Sequence, residues 1–295
     1  GQHILKTEQF DKEGLLAIFD EAKRMEQGGG DDLKGKVMAS LFFEPSTRTR
    51  FSFETAMLKL GGKVISNPDM KRTSSLKKQE TLWDTGKTVS QMVDVIVMRH
   101  PEAGVVGELA EGSDVPVING GDGPNDHPTQ GLLDVYTIWK EKGGLDGLTV
   151  GLIGDLKYSR VLHSQCKMLK QFDVKFVLVS PAALALPDDL KKDLGDFVEE
   201  DDLSKVIGDL DVISVNRIQA ERFDDEAEAE KYRGKFVVGA EVLDAARKDA
   251  IILCPLPRRE ELPVEVDKDP RAKYFEQVGN GVAVRMALLK KVLLG

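Results

Sequence analysis

The chain has little of what most catalytic and metal-binding signatures are built from. It holds only 2 cysteines and 4 histidines, and neither Cys166 nor Cys254 belongs to a CxxC pair or a Cys/His cluster. A zinc site or a disulfide framework is therefore not its organising feature, and two lone thiols fit a reducing compartment. No apolar run approaches the roughly 18 residues that a membrane-spanning helix needs. No secretory leader is visible in a sequence that starts Gly1-Gln2 without a Met; the expected location is the cytoplasm. There is no excess of positive charge. The 41 Lys and Arg face 50 Asp and Glu, a formal charge of −9, which argues against non-specific binding to nucleic acid or an acidic membrane. No Walker A loop, HExxH, GxSxG or GxGxxG occurs. The chemistry left open is electrostatic: holding anions and stabilising a developing oxyanion with fixed donors. No metal and no cofactor is expected.

What is present is ordinary for a globular protein, with 41% hydrophobic and 31% charged residues in 295, enough for two domains. Short apolar runs alternate with helical patterns. The runs 37–42, 93–98, 115–118, 148–153, 174–179, 212–215 and 251–253 read as buried strands. Leu15, Ile18, Phe19, Ala22 and Met25 form a helical stripe, as do Leu132, Val135, Tyr136 and Trp139, and Val282, Met286, Leu289 and Leu293 near the C-terminal end. This alternation predicts an α/β fold of two domains, each a parallel sheet flanked by helices, with the active site in the cleft between them. The stretch 67–75 reads as an exposed polar loop, and Gly143, Gly144 and Gly147 mark a pause between the halves.

The rest of the chain is organised around Phe43-Glu44-Pro45-Ser46-Thr47-Arg48-Thr49-Arg50. It lies between a strand and a helix whose apolar positions are Phe53, Ala56, Met57 and Leu60, with Arg48, Ser52, Thr55 and Lys59 on the polar side. Ser46 or Thr47 is a natural N-cap. A helix N-terminus with two arginines and several hydroxyls suits a phosphate or carboxylate. Other strands end in groups of the same kind: Arg99, His127 with Gln130, Arg160 with His163, Arg217 with Gln219 and Arg222, and Pro255 to Arg258. Ligands bind at the carboxyl ends of parallel strands, so the convergence predicts a site for strongly anionic ligands. Leu256-Pro257 reads as a turn or a cis peptide.

Ser46-Thr47-Arg48-Thr49-Arg50, His127-Pro128-Thr129-Gln130 and Pro255-Leu256-Pro257-Arg258 resemble the aspartate/ornithine carbamoyltransferase family. The likeness runs from about His3 to the C-terminal end. Ser74 with Lys78, Arg217-x-Gln219 with Arg222, and the Pro-Leu-Pro-Arg string resemble its aspartate branch. The resemblance implies transfer of the carbamoyl group of carbamoyl phosphate to L-aspartate, an early step of pyrimidine biosynthesis. It implies that Ser46, Thr47, Arg48 and Thr49 hold the phosphate with Arg99, and that Thr49, Arg99 and His127 polarise the carbonyl. Gln130 and the backbone carbonyls of Pro255 and Leu256 would orient the carbamoyl NH2. Arg160, Arg217 and Gln219, with Leu256 alongside, would hold aspartate. Ser74 and Lys78 would come from a neighbouring subunit of a homotrimer with shared sites, and separate regulatory chains stay open. Glu44 would pair with Arg160 and Arg222 in a closed form.

The implied domains are 1–131, completed by helix 281–295, for carbamoyl phosphate and 132–280 for aspartate. One departure is Cys254, which stands where the aspartate branch usually has His and reads as a buried structural thiol at a strand end. The competing readings are a carbamoyltransferase for ornithine or another amino compound and a catalytically silent homologue. Retention of Arg48, Thr49, Arg99, His127 and Gln130 argues against the silent one.

Overall fold

Runs that are apolar throughout belong in sheets covered on both faces, and parallel strands meet that condition. The computed structural model describes residues 2–218, 223, 225–232 and 235–295. It divides into two compact units, Gly1–Tyr136 with Val278–Gly295, and Thr137–Gln277. The divisions fall inside two helices. Each unit has its own parallel sheet flanked by helices.

In the first unit the order is α1 (Lys12–Met25), β1 (Val37–Phe42), α2 (Arg48–Lys59), β2 (Lys63–Asn67), α3 (Met70–Thr73), α4 (Leu82–Val89), β3 (Val95–His100), α5 (Val105–Gly112), β4 (Val117–Asp122) and α6 (Pro128–Lys142). The sheet order is β2-β1-β3-β4, all parallel. The chain therefore steps from β1 outward to β2 and then returns to the other side of β1 at β3. The five residues of the α1 stripe are its buried face, and Asp11 caps it by accepting from the Gly14 N–H at 2.7 Å. Each fully buried Leu, Ile or Phe on such a face contributes about 1.5–3 kcal/mol.

Two elements differ from expectation here. The stretch 67–75 is not a plain loop: it contains the end of β2, α3 and the start of a 3₁₀ turn at Ser75–Lys78. Asn67 Oδ1 organises it by accepting from the Asp69 N–H at 3.0 Å and the Thr73 hydroxyl at 2.9 Å. The strands expected at 93–98 and 115–118 lie further on. Asp94 stays outside β3, with its carboxylate accepting from the Val37 N–H at 2.9 Å, and pairing continues as far as His100 against Asp122.

The second unit contains β5 (Leu148–Ile153), α7 (Arg160–Leu169), β6 (Val174–Val179), α8 (Asp188–Lys191), β7 (Phe197–Glu200), β8 (Val212–Val215), α9 (Glu226–Glu230), α10 (Ala240–Leu243) and β9 (Ile251–Leu253), followed by α11 (Tyr274–Leu294). Its sheet order is β7-β6-β5-β8-β9, again all parallel. The order reverses between β5 and β8. β5, β6, β8 and β9 coincide with the apolar runs read from sequence. Ile153, Val177, Val179, Ile213, Val215 and Ile252 belong to one buried cluster beside this sheet.

Candidate active site

In an open parallel sheet the two strands that flank the reversal of order leave their C-terminal ends apart, and a crevice opens there. In the first unit those strands are β1 and β3. The chain leaving β1 passes through Glu44, Pro45, Ser46 and Thr47 into α2. Thr47 holds the N-cap position, but its backbone is already helical (φ −97°, ψ −58°) and its hydroxyl makes no capping bond. A capping side chain needs an extended backbone to fold back on the first turn, so Thr47 does not seal this helix end.

Three side chains from three strand ends meet beside it. The Thr49 hydroxyl lies 3.3 Å from His127 Nε2 and accepts from Arg99 Nη1 at 3.5 Å. Arg99 also donates from Nη1 to the Gly120 carbonyl at 3.5 Å and from Nε to Glu44 Oε1 at 2.7 Å. Thr49 and His127 are buried, whereas Ser46 is half-buried and Thr47 and Arg48 are exposed. The cluster thus runs from a covered hydroxyl and imidazole to an open rim of donors. Glu44, expected beside Arg160 and Arg222, is found on Arg99, and Arg222 lies outside the described residues.

His127 is placed by the residues before it. Its N–H donates to Asp126 Oδ1 at 2.8 Å, and the same carboxylate accepts from the Thr7 N–H and hydroxyl, both at 2.7 Å. Pro128 starts α6, a favoured first position because it has no N–H to satisfy. Gln130 follows on the first turn and donates from Nε2 to Asp134 Oδ1 at 2.9 Å. Ser52, expected on the polar side of α2, is buried and accepts from Arg285 at 3.0 Å. Ser74 is half-buried, donating to the Met70 carbonyl at 2.6 Å, and Lys78 is exposed.

In the second unit the flanking strands are β5 and β8. Gly154 follows β5 with φ +114°, and a Cβ there would collide with the Asn216 carbonyl just beyond β8. Only glycine lets the chains carrying Arg160 and Arg217 lie this close. Asp155 is buried and accepts from the Lys157 and Tyr158 N–H groups at 3.1 and 2.9 Å. That turn delivers Ser159 as N-cap of α7 and Arg160 as its first residue. His163 Nε2 lies 2.9 Å from the Leu156 carbonyl oxygen, and burial holds the imidazole pKa below its ordinary value. Arg160 and Arg217 are each half-buried. Gln219 lies outside the described residues.

Beyond β9, the Leu256-Pro257 peptide is cis, and Pro255 and Leu256 are half-buried. Cys254 is a buried thiol; its N–H donates to Gln277 Oε1 at 3.1 Å and its sulfur accepts from the Leu256 N–H at 3.4 Å. Arg258 belongs with the strand-end groups by position only. It is engaged by Asp267 and the Tyr274 hydroxyl, with its guanidinium 5.6 Å from the Tyr274 ring centre.

Asp126, Asp134 and Arg285 support the cluster and were not apparent from sequence. The available signals were a carboxylate one turn after Gln130 and an arginine inside the apolar stripe of the final helix. Among the described residues, no group of three or more His, Cys, Asp or Glu could hold a metal ion, and no helix is long and apolar enough to cross a membrane.

These features define a two-domain α/β protein with arginine, threonine and histidine side chains gathered at the crevices of two parallel sheets. The chain belongs to the aspartate/ornithine carbamoyltransferase family. The family's carbamoyl-P binding domain matches residues 2–140, and its Asp/Orn binding domain matches residues 146–292. The aspartate carbamoyltransferase catalytic subunit of Archaeoglobus fulgidus is 48% identical over 298 residues, covering 99% of each chain. That of Methanopyrus kandleri is 51% identical over 289 residues, covering 96% of this chain and 93% of its own. Among solved structures, the Trypanosoma cruzi aspartate transcarbamoylase in complex with carbamoyl phosphate and aspartate superposes with a TM-score of 0.92 at 38% identity, covering 99% of this chain and 97% of that one.

Proposed function

We propose that this chain transfers the carbamoyl group of carbamoyl phosphate to the amine of L-aspartate, giving N-carbamoyl-L-aspartate and phosphate, in pyrimidine biosynthesis. The observation that carries the proposal is the meeting of Thr49, Arg99 and His127 at one crevice, in a member of this family. The aspartate amine attacks the carbamoyl carbon, charge builds on the carbonyl oxygen, and phosphate leaves with a proton from the amine. No side-chain nucleophile is required. Thr49, Arg99 and His127 are donors placed to stabilise that oxygen. Ser46, Thr47, Arg48 and Thr49, with Arg99, hold the phosphate at the end of α2, where the helix dipole favours an anion. Gln130 and the carbonyls of Pro255 and Leu256 orient the carbamoyl NH2. Arg160, Arg217, Gln219 and Leu256 hold aspartate, a planar two-carboxylate task suited to guanidinium groups. Residues 1–131 with 281–295 serve carbamoyl phosphate, and residues 132–280 serve aspartate.

The working unit in this reading is a cytoplasmic homotrimer in which Ser74 and Lys78 complete a neighbour's site. Exposed Lys78 supports it. So do Phe51 and Leu58 on α2 and Ile65 on edge strand β2, each more than half exposed, since apolar surface of this kind marks an interface. Mixing inactive Lys78→Ala with inactive Arg48→Ala tests the sharing. Activity regained on reassembly supports it, and continued inactivity rejects it. The reaction itself is tested with carbamoyl phosphate and either L-aspartate or L-ornithine. Product from aspartate alone is expected. Product from ornithine alone would mean that Arg217 and Gln219 are misassigned, and no product from either would favour a silent homologue.

A further inference from the structure

Gln130 can present either end of its amide to a substrate, and the two ends have opposite chemistry. Its NH2 donates and its oxygen accepts. In α6 the choice is made by Asp134, one turn further on, which accepts from Gln130 Nε2 at 2.9 Å. Asp134 is fully buried, and its carboxylate oxygen is the acceptor in this bond. The Gln130 NH2 is therefore held on Asp134, and the amide oxygen is turned away from it.

A buried cation of the same unit feels this carboxylate's charge. Arg285 of α11 is 2% exposed, donates to the Ser52 and Thr129 hydroxyls at 3.0 Å each, and stacks 4.9 Å from the Phe53 ring centre. Burial lowers its pKa to about 9, while the Asp134 charge acts to raise it. Gly281, one turn earlier, makes room for this side chain, since a Cβ there would lie 2.7 Å from Arg285 Nη1.

We infer that Asp134 is a specificity-determining positioning residue: it locks the Gln130 amide with its oxygen toward the carbamoyl NH2, so that an acyl phosphate lacking that NH2 is rejected. The inference rests on the carbamoyl-transfer reading and deepens it. An acetyl group, with methyl in place of NH2, leaves the amide oxygen facing a group that cannot donate. If Gln130 were free to turn, discrimination would fall.

The test compares the parent enzyme with Asp134→Asn, which can either accept from Nε2 or donate to Oε1 of Gln130 and so removes the lock. The readouts are KM for carbamoyl phosphate and the inhibition constant of acetyl phosphate. The expected result is a rise of about tenfold in the former, with the latter changed less than about twofold, as loss of one neutral hydrogen bond predicts. Equal weakening of both would mean a merely structural role and would overturn the inference. So would no change in either. If the variant does not fold, ¹⁵N-labelled parent enzyme replaces it, with the Gln130 side-chain signal assigned by its loss in Gln130→Leu. Slow exchange of the Asp134-bonded proton with and without carbamoyl phosphate is expected, and exchange at the rate of a free amide overturns the inference. A parent enzyme that transfers nothing from carbamoyl phosphate to aspartate fails the underlying reading instead.

Discussion

Glu44 Oε1 accepts a hydrogen bond from Arg99 Nε at 2.7 Å, so a carboxylate already occupies one edge of the guanidinium nearest Thr49 and His127. A phosphate held as proposed would meet that carboxylate's charge and compete with it for the Arg99 guanidinium. Glu44→Gln removes the competitor's charge. The variant is expected to bind carbamoyl phosphate roughly two- to fivefold more tightly, the scale of a partly exposed ion pair. Isothermal titration checks this, and weaker or unchanged binding would contradict the competition.

His127 touches the Thr49 hydroxyl and is anchored through Asp126 to the N-terminal segment at Thr7. Its proposed work is done on the oxygen that becomes charged as the reaction proceeds. His127→Ala is expected to lower kcat by about 10²–10³, the cost of losing one such donor, with a much smaller change in KM for carbamoyl phosphate. Steady-state kinetics separates the two, and a change confined to KM would assign His127 to ground-state binding.

At the end of β5, Gly154 is required both by its φ of +114° and by contact with the Asn216 carbonyl. Gly154→Ala forces β5 and β8 apart where Arg160 and Arg217 emerge. The variant is expected to lose more than about 1 kcal/mol of stability and to raise KM for aspartate more than KM for carbamoyl phosphate. Denaturant melts with paired kinetics measure both effects; equal shifts in the two KM values would argue against local displacement.

Acid stability should depend on Asp267. Its bonds to Arg258 and the Tyr274 hydroxyl lower its pKa from 3.8 to about 2. As pH falls, the unfolded chain takes up this proton before the folded one does. The stabilisation is therefore complete above 3.8 and is lost as pH falls through about 2. Thermal melts over that window should fall less steeply for Asp267→Asn than for the parent, and parallel curves would refute the assignment.

The sequence carries a clear signal where burial is simple. β5, β6, β8 and β9 are covered on both faces, so their apolar runs mark their limits. β2 and β7 are edge strands with mostly exposed or half-buried residues, and such composition reads as loop. α5 is obscured by Gly107 and Gly112 within it and Gly104 before it, which dilute the stripe of Val105, Val106, Leu109 and Ala110. The strand-end residues were legible because parallel topology fixes where such residues go. Asp126 and Arg285 were not, because their roles lie in contacts far along the chain: Arg285 reaches Ser52 across 233 positions, and no local pattern encodes that.

Arg285 also sets an order of events during synthesis. Ser52, Phe53 and Thr129 leave the ribosome early, whereas the guanidinium that fills the space between them arrives only after residues 137–277 have been made. At about 5–20 residues per second, that interval is on the order of ten seconds or more. Throughout it the nascent first unit lacks the buried cation that bonds Ser52 and Thr129, while the second unit emerges as one uninterrupted segment. The later-made unit is thus free to finish folding first, and the earlier one is completed last.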